Sequence, residues 1–346
     1  MTKVLLIKRG ALGDVLMTTP LIRSLRKVYP KAQIDFLVSD SSSIVLKANP
    51  YLSNVIAVED KLFDLKNLFA YSQFLYQLSK QKYDYVFVLD KHFYFAMQAM
   101  LLGGTRVGFV RDKLSGLFLN KAVKYTDVSR YQALYYLDLL NLIAPNQTNY
   151  SDLKLDFFAN REAFNKIDNK LNDLDLHDYF VVINSGGNNQ YETTGARMLP
   201  SDKIIELLKV LCKIKPIFLI GNSLDKLNYQ KYMEEANCSK IINAAGKLTL
   251  EQSVALMVSA DKIFTTDCGV MHLALSQGLE DKLHIFFAPT NPGHILPKHS
   301  KAKYIWEDQE LFNQDYQLKG KISSKLKFFT KLDVRSCLKK WGIIDT

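Results

Sequence analysis

The sequence predicts an α/β protein built from two doubly wound domains. Three observations carry that expectation. Short apolar runs alternate with amphipathic stretches, the pattern of parallel sheets covered by helices on both faces. The alternation comes in two successive sets. The chain, at 346 residues, is too long for one typical domain and comfortable for two.

In the first set the strand-like runs are VLLIK (4–8), QIDFLV (33–38), VIAVE (55–59), YDYVFVLD (83–90) and RVGFV (106–110). Helical patterns fall between them at 15–28, 65–80 and 92–102, and RYQALYYLDLLNLI (130–143) closes the set. In the second set the runs are YFVVINS (179–185), PIFLIG (216–221), KIINAAG (240–246), KIFTTD (262–267) and LHIFFAP (283–289). Helices are expected near 201–214, 224–236, 249–259 and 269–277. The polar stretch APNQTNYSD (144–152) puts the junction at or just after it. The expected layout is a first domain over 1–155 and a second over 156–325. A terminal segment, 326–346, contains a helix pattern ended by Gly342 and is expected to pack back toward the first domain.

Apolar residues make up 48% and charged residues 23%, an ordinary soluble composition. The net charge of +10 is uneven, because residues 1–155 hold 20 Lys and Arg against 12 Asp and Glu. A basic half suits an anionic partner (nucleic acid, a phosphorylated glycolipid or an acidic membrane surface) or is simply a solvated face. Cys212, Cys238, Cys268 and Cys337 form no CxxC pattern and fit reduced residues. The start, MTKVLLIKRG, does not read as a signal peptide, and no apolar run approaches the roughly 18–20 residues that cross a bilayer. A cytoplasmic protein is expected, one that meets membrane only from the surface.

Ligands of open α/β sheets sit at the carboxyl ends of strands, so the residues that follow strands carry the chemistry. Gly10 and Gly13 permit a tight first turn, and Asp14 stands at or next to the cap of the following helix. The pattern Gly-x-x-Gly-Asp is a poor dinucleotide fingerprint, since the acid would repel a pyrophosphate. Asp14 reads either as a helix cap or as a base that takes a proton from a substrate hydroxyl. In the second set, Ser185, Gly186 and Gly187 end a strand with groups able to cradle phosphate. Arg197 follows as a phosphate candidate, with Ser201 or Asp202 as the next cap. Asp267, Cys268 and Gly269 then open a short helix that carries His272, and its free N–H groups suit phosphate or sugar oxygens. His272 and Asp267 also fit a core histidine and a cap. The DLD at 173–175 lies at the end of a charged helix pattern and makes a poor metal site.

Together these residues resemble the ADP-heptose:lipopolysaccharide heptosyltransferases, glycosyltransferase family 9. The likeness rests on KRGALGDVLMTTPLIRSLRKVYP, ARMLPSDKIIELL, LTLEQSVALMVSADKIFTTDCGVMHLALSQG and FFAPTNP, in that order. It implies the GT-B architecture, two Rossmann-like domains facing across a cleft, and an inverting transfer from a nucleotide sugar with no metal or other cofactor. It implies Asp14 as catalytic base. Ser185, Gly186 and Arg197 would take the donor diphosphate, and Asp267, Cys268, Gly269 and His272 the rest of the donor. Gly13, Arg9, Lys91 and Arg111 are candidates on the acceptor side. The acceptor implied is an anionic glycolipid at the inner membrane surface rather than nucleic acid, and the chain is expected to be a monomer.

Three positions depart from the family pattern. Cys268 replaces a Ser or Thr, Leu199-Pro200 replaces Trp-Pro, and only Asn222 and Asp225 offer themselves toward a donor ribose. The departures leave a competing reading, a non-catalytic binder of nucleotide sugars or polyanions on the same scaffold.

Overall fold

The computed structural model describes residues 1–111, 113–186, 195–306, 308–311 and 326–345. The chain divides into two compact units, Met1–Phe158 and Ala159–Thr346.

The first unit holds one sheet of six strands: β1 (Lys3–Lys8), β2 (Gln33–Ser39), β3 (Asn54–Val58), β4 (Tyr85–Val88), β5 (Thr105–Val110) and β6 (Lys121–Lys124). Their order is β3-β2-β1-β4-β5-β6, all parallel. The second unit holds β7 (Phe180–Ile183), β8 (Ile217–Leu219), β9 (Ile241–Asn243), β10 (Lys262–Thr266), β11 (Leu283–Phe286) and β12 (Lys303–Ile305). Its order, β12-β11-β10-β7-β8-β9, is again all parallel. Counted from each unit's own first strand, the two orders are the same 3-2-1-4-5-6. This is the doubly wound arrangement, with a reversal of direction beside the first strand. Two such units make the GT-B architecture.

The central strands are buried on both faces, which is why they read as unbroken apolar runs. Val4, Leu5, Leu6 and Ile7 of β1 are almost wholly enclosed. The edge strands β6 and β12 were absent from the expected set. Lys121–Lys124 is mostly exposed and Lys303–Ile305 is three residues long, so neither has an apolar run to read.

The helix expected over 15–28 is two helices, Leu12–Leu16 and Thr19–Val28. Pro20 has no N–H for the carbonyl of Leu16, and the Thr19 hydroxyl donates to that oxygen instead at 2.7 Å. Thr18 does the same for Val15 at 2.7 Å.

The first unit runs to Phe158 because the segment before it is tied back. Arg23 is buried, bonds Asp152 at 2.7 Å, and also pairs with Asp156. The Asp156 N–H donates to the Thr19 hydroxyl at 2.9 Å.

The terminal helix, Val334–Lys340, spends its apolar face on the second unit. Val334, Cys337, Leu338 and Trp341 join the core formed by Phe180, Leu208, Phe264 and Phe286. The Trp341 ring lies 5.0 Å from Phe286 and 5.1 Å from His284. Burial among these rings pushes the His284 imidazole down to about 4. Among the described residues no helix is long and apolar enough to cross a membrane.

Trp341→Ala should destabilise the protein by about 3–5 kcal/mol, as loss of a large core aromatic does. Denaturant unfolding followed by circular dichroism measures this, and a loss below about 1 kcal/mol would contradict the packing described.

Candidate functional site

At the carboxyl end of the first sheet, β1 and β4 are neighbours, with Ile7 opposite Val88. Each strand leads into charge. Lys8 is buried, and its Nζ donates to Asp90 Oδ1 at 2.9 Å. The other oxygen of Asp90 accepts from the Arg9 N–H at 2.7 Å. One carboxylate therefore bolts the two strand ends together. Burial works against the Lys8 charge, but Asp90 outweighs it and holds the ammonium above its ordinary range.

The turn that follows is fixed from the side as well. Ser39 Oγ donates to the Arg9 carbonyl at 3.1 Å and Ser42 Oγ to that of Gly10 at 3.0 Å. Gly10 has φ of +40°, and a Cβ there would lie 2.9 Å from Lys8 Cε and 3.2 Å from Asp14 Cβ. Only glycine suits that close approach.

Asp14 is half-buried beyond this turn. It is not the helix cap: Ala11 takes that position, and Asp14 is the third residue of the first turn. The helix dipole still favours a carboxylate there. Its charge is felt by Lys8, Lys91, Tyr125 and Tyr136, so the acid sits among two lysines and two tyrosines. Gly13 is buried beside it.

Of the other acceptor-side candidates, Lys91 belongs to this group. Its Nζ donates to the Tyr125 hydroxyl at 2.7 Å and lies 4.0 Å from the centre of that ring. Burial pushes the ammonium down to about 7, with Lys8 and Arg111 repelling it and Asp14 and Asp90 pulling the other way. Arg9 pairs with Asp64 at 2.9 Å. Arg111 adds a positive charge near Lys91.

In the second unit the neighbours at the reversal are β7 and β10, with Ile183 opposite Thr265. Thr266 Oγ1 donates to the Ser185 carbonyl at 3.2 Å and joins the strand ends. Asn184, fully buried, clamps the loop above them. Its Nδ2 donates to the Leu199 carbonyl at 3.0 Å, and its Oδ1 accepts from the Leu199 N–H at 2.7 Å. That clamp delivers Arg197. The guanidinium donates to the Gly186 carbonyl at 3.2 Å and lies 3.7 Å from Asp267 Oδ2. Asp267 is 3% exposed. Three residues read from the sequence, Gly186, Arg197 and Asp267, thus meet, with Ser185 next to them. Gly187 lies outside the described residues.

Cys268, not Asp267, is the cap of the helix Gly269–Ser276. Its Sγ turns inward to within 3.6 Å of Thr265 Oγ1, and burial pushes the thiol up. Gly269 opens the helix beside Asp267, and His272 is buried in its first turns. The helix expected to start at a Ser201 or Asp202 cap begins at Ser201 with Pro200 in the cap position.

Asn222 and Asp225 are committed to local structure. Asn222 Oδ1 accepts from the Leu224 N–H at 2.7 Å, and Asp225 Oδ2 from the Asn222 N–H at 2.9 Å. In the DLD stretch, Asp173 ends the helix Arg161–Asp173, and Asp175 pairs with His177 at 3.3 Å. Among the described residues no three His, Cys, Asp or Glu side chains converge as a metal site would need.

Lys8, Asp90 and Tyr125 were missed by sequence reasoning. Their signal is the strand order: once β1 and β4 are known to be neighbours, Lys8 and Asp90 face each other.

A family model described as glycosyltransferase family 9 (heptosyltransferase) matches residues 72–321. The lipopolysaccharide heptosyltransferase 1 of Campylobacter coli is 23% identical over 284 residues, 79% of this chain and 81% of the relative. A solved glycosyl transferase family 9 structure from Veillonella parvula superposes with a TM-score of 0.74 at 20% identity, over 99% of this chain and 97% of that one. The E. coli ADP-heptose lps heptosyltransferase II gives 0.68 at 21% identity, over 88% and 90%.

The amine of Lys91 sets a pH dependence of stability. Its native pKa lies below the ordinary value, so the stability it contributes is complete above about 10.5 and is lost as pH falls through about 7. The unfolding free energy of the wild type, measured against Lys91→Met, should rise between those limits. A flat difference would contradict the burial of this amine.

Proposed function

The chain belongs to glycosyltransferase family 9, the heptosyltransferases, and from that premise we propose that it moves a heptose from ADP-heptose onto a lipopolysaccharide core acceptor, with inversion and without a metal. The observation that carries the reading is the meeting of Arg197, Asp267 and Gly186 at the end of β7 and β10, beside the start of the helix at Gly269. A guanidinium, backbone N–H groups and a helix N-terminus are what a departing diphosphate requires. The named function of the Campylobacter coli relative supports the acceptor class, and the name of the E. coli neighbour supports the donor.

The transfer is a single displacement. Asp14 accepts the proton of the attacking acceptor hydroxyl, and that oxygen forms its bond to the anomeric carbon. The bond from that carbon to the diphosphate breaks on the opposite side, which inverts the centre. ADP leaves with the electron pair, and Arg197 with the N–H groups around Gly269 neutralises it. Asp267 orients the guanidinium and is placed to accept from sugar hydroxyls. Lys8 and the positive end of the first helical turn both face Asp14 with favourable charge. The reading takes the enzyme as a monomer working at the inner face of the cytoplasmic membrane.

Asp14→Asn should lower kcat by about 10²–10⁴-fold while ADP-heptose affinity stays within about three-fold. Turnover on extracted lipopolysaccharide and calorimetric titration of the donor check the two halves. Near-normal turnover would remove Asp14 as the base. Donor binding without transfer to any lipopolysaccharide acceptor by the wild type would favour the binding-only alternative. Chelation with EDTA should leave the wild-type rate unchanged, and a loss restored by added Mg²⁺ would contradict the metal-free step.

A further inference from the structure

The helix Leu68–Ser79 turns Tyr71 and Leu75 into the core and presents an outer face without a single charge. Phe69 on that face is 79% exposed, with Leu65 and Tyr76 exposed alongside it. The helix packs on the turn Ala99–Leu102, which exposes Met100. The helix leading into that turn, Phe93–Gln98, packs on Lys113–Leu117, which exposes Leu114 and Leu117. Single exposed apolar side chains are ordinary on a protein surface. These instead lie on successive packed elements over one face of one sheet.

The charge around them is mostly positive. No Asp or Glu occurs from residue 65 to 83, while Lys66, Lys80 and Lys82 bracket the helix. From 85 to 124 the acids are Asp90 and Asp112, against six Lys and Arg, and Asp90 is committed to Lys8. An apolar strip with a lysine rim is the chemistry of a segment lying in the headgroup layer of an anionic bilayer. A second copy of the chain would bring two cationic rims together, which repulsion opposes. The strip also borders the acid site. Leu65 follows Asp64, which pairs with Arg9 at 2.9 Å, and Arg9 leads into the turn that carries Asp14.

We infer that this face of the first unit docks on an anionic lipid surface, with Phe69 and Leu117 entering the headgroup layer and the lysines over the phosphates. The inference deepens the proposed function and rests on it only in taking the acceptor as a lipid-borne sugar.

Cosedimentation with vesicles tests it. The wild type should partition at least about ten-fold more onto phosphatidylglycerol–phosphatidylcholine vesicles than onto phosphatidylcholine alone, and added salt should weaken the preference. Phe69→Glu with Leu117→Glu should lose that partition at an unchanged melting temperature. Leu224→Glu with Leu227→Glu, equally exposed on the second unit, should retain it. Equal binding to both vesicles, full binding by the first variant, or equal loss in the second would each overturn the inference. So would self-association in the ultracentrifuge that Phe69→Glu abolishes with no vesicle binding, which would assign the face to a second copy. No sugar is transferred in this assay, so its failure leaves the transferase reading to the Asp14→Asn measurement.

Discussion

In each sheet the strand order reverses between two neighbours, and the connections leaving them run to opposite faces. This constraint decides where chemistry can occur. At β1 and β4, and again at β7 and β10, the backbone parts and leaves its carbonyls, amides and following side chains unpaired by the ladder. The glycines, the turn hydroxyls and the charged residues discussed above cluster at these two places because no other part of either sheet offers an opening of this kind.

The two reversals are closed by different means. In the first unit an ion pair does it: Asp90 takes the Lys8 ammonium and the Arg9 amide together. A buried pair of this sort gives modest net stability, but it fixes the strand ends, since loss of one partner leaves a buried charge. In the second unit a threonine hydroxyl and an asparagine clamp do the joining. That leaves the cationic Arg197 aimed at Gly186 and Asp267 instead of being consumed in holding strands.

Much of this was legible in the residues. Ten of the twelve described strands announced themselves as apolar runs, the central ones because strands buried on both faces must be apolar throughout. The edge strands β6 and β12 did not, for they are short and have little to bury. Pro20 was visible, yet its consequence depended on Thr19 turning its hydroxyl back to the freed Leu16 carbonyl. The terminal helix could be recognised as a helix, but which core would receive Trp341 depends on shapes that no periodicity reports. Residues that follow strands were the ones named, and of these Gly186, Arg197 and Asp267 come together. The pairing of Lys8 with Asp90 required the order of strands, which is a property of the whole unit rather than of any stretch of sequence.

The proposed chemistry is one displacement at the anomeric carbon, with Asp14 receiving the proton and Arg197 facing the leaving group. The anomeric configuration of the isolated product, read by proton NMR against that of the ADP-heptose supplied, tests this most directly. The account predicts inversion. A product that retains the donor's configuration would contradict it.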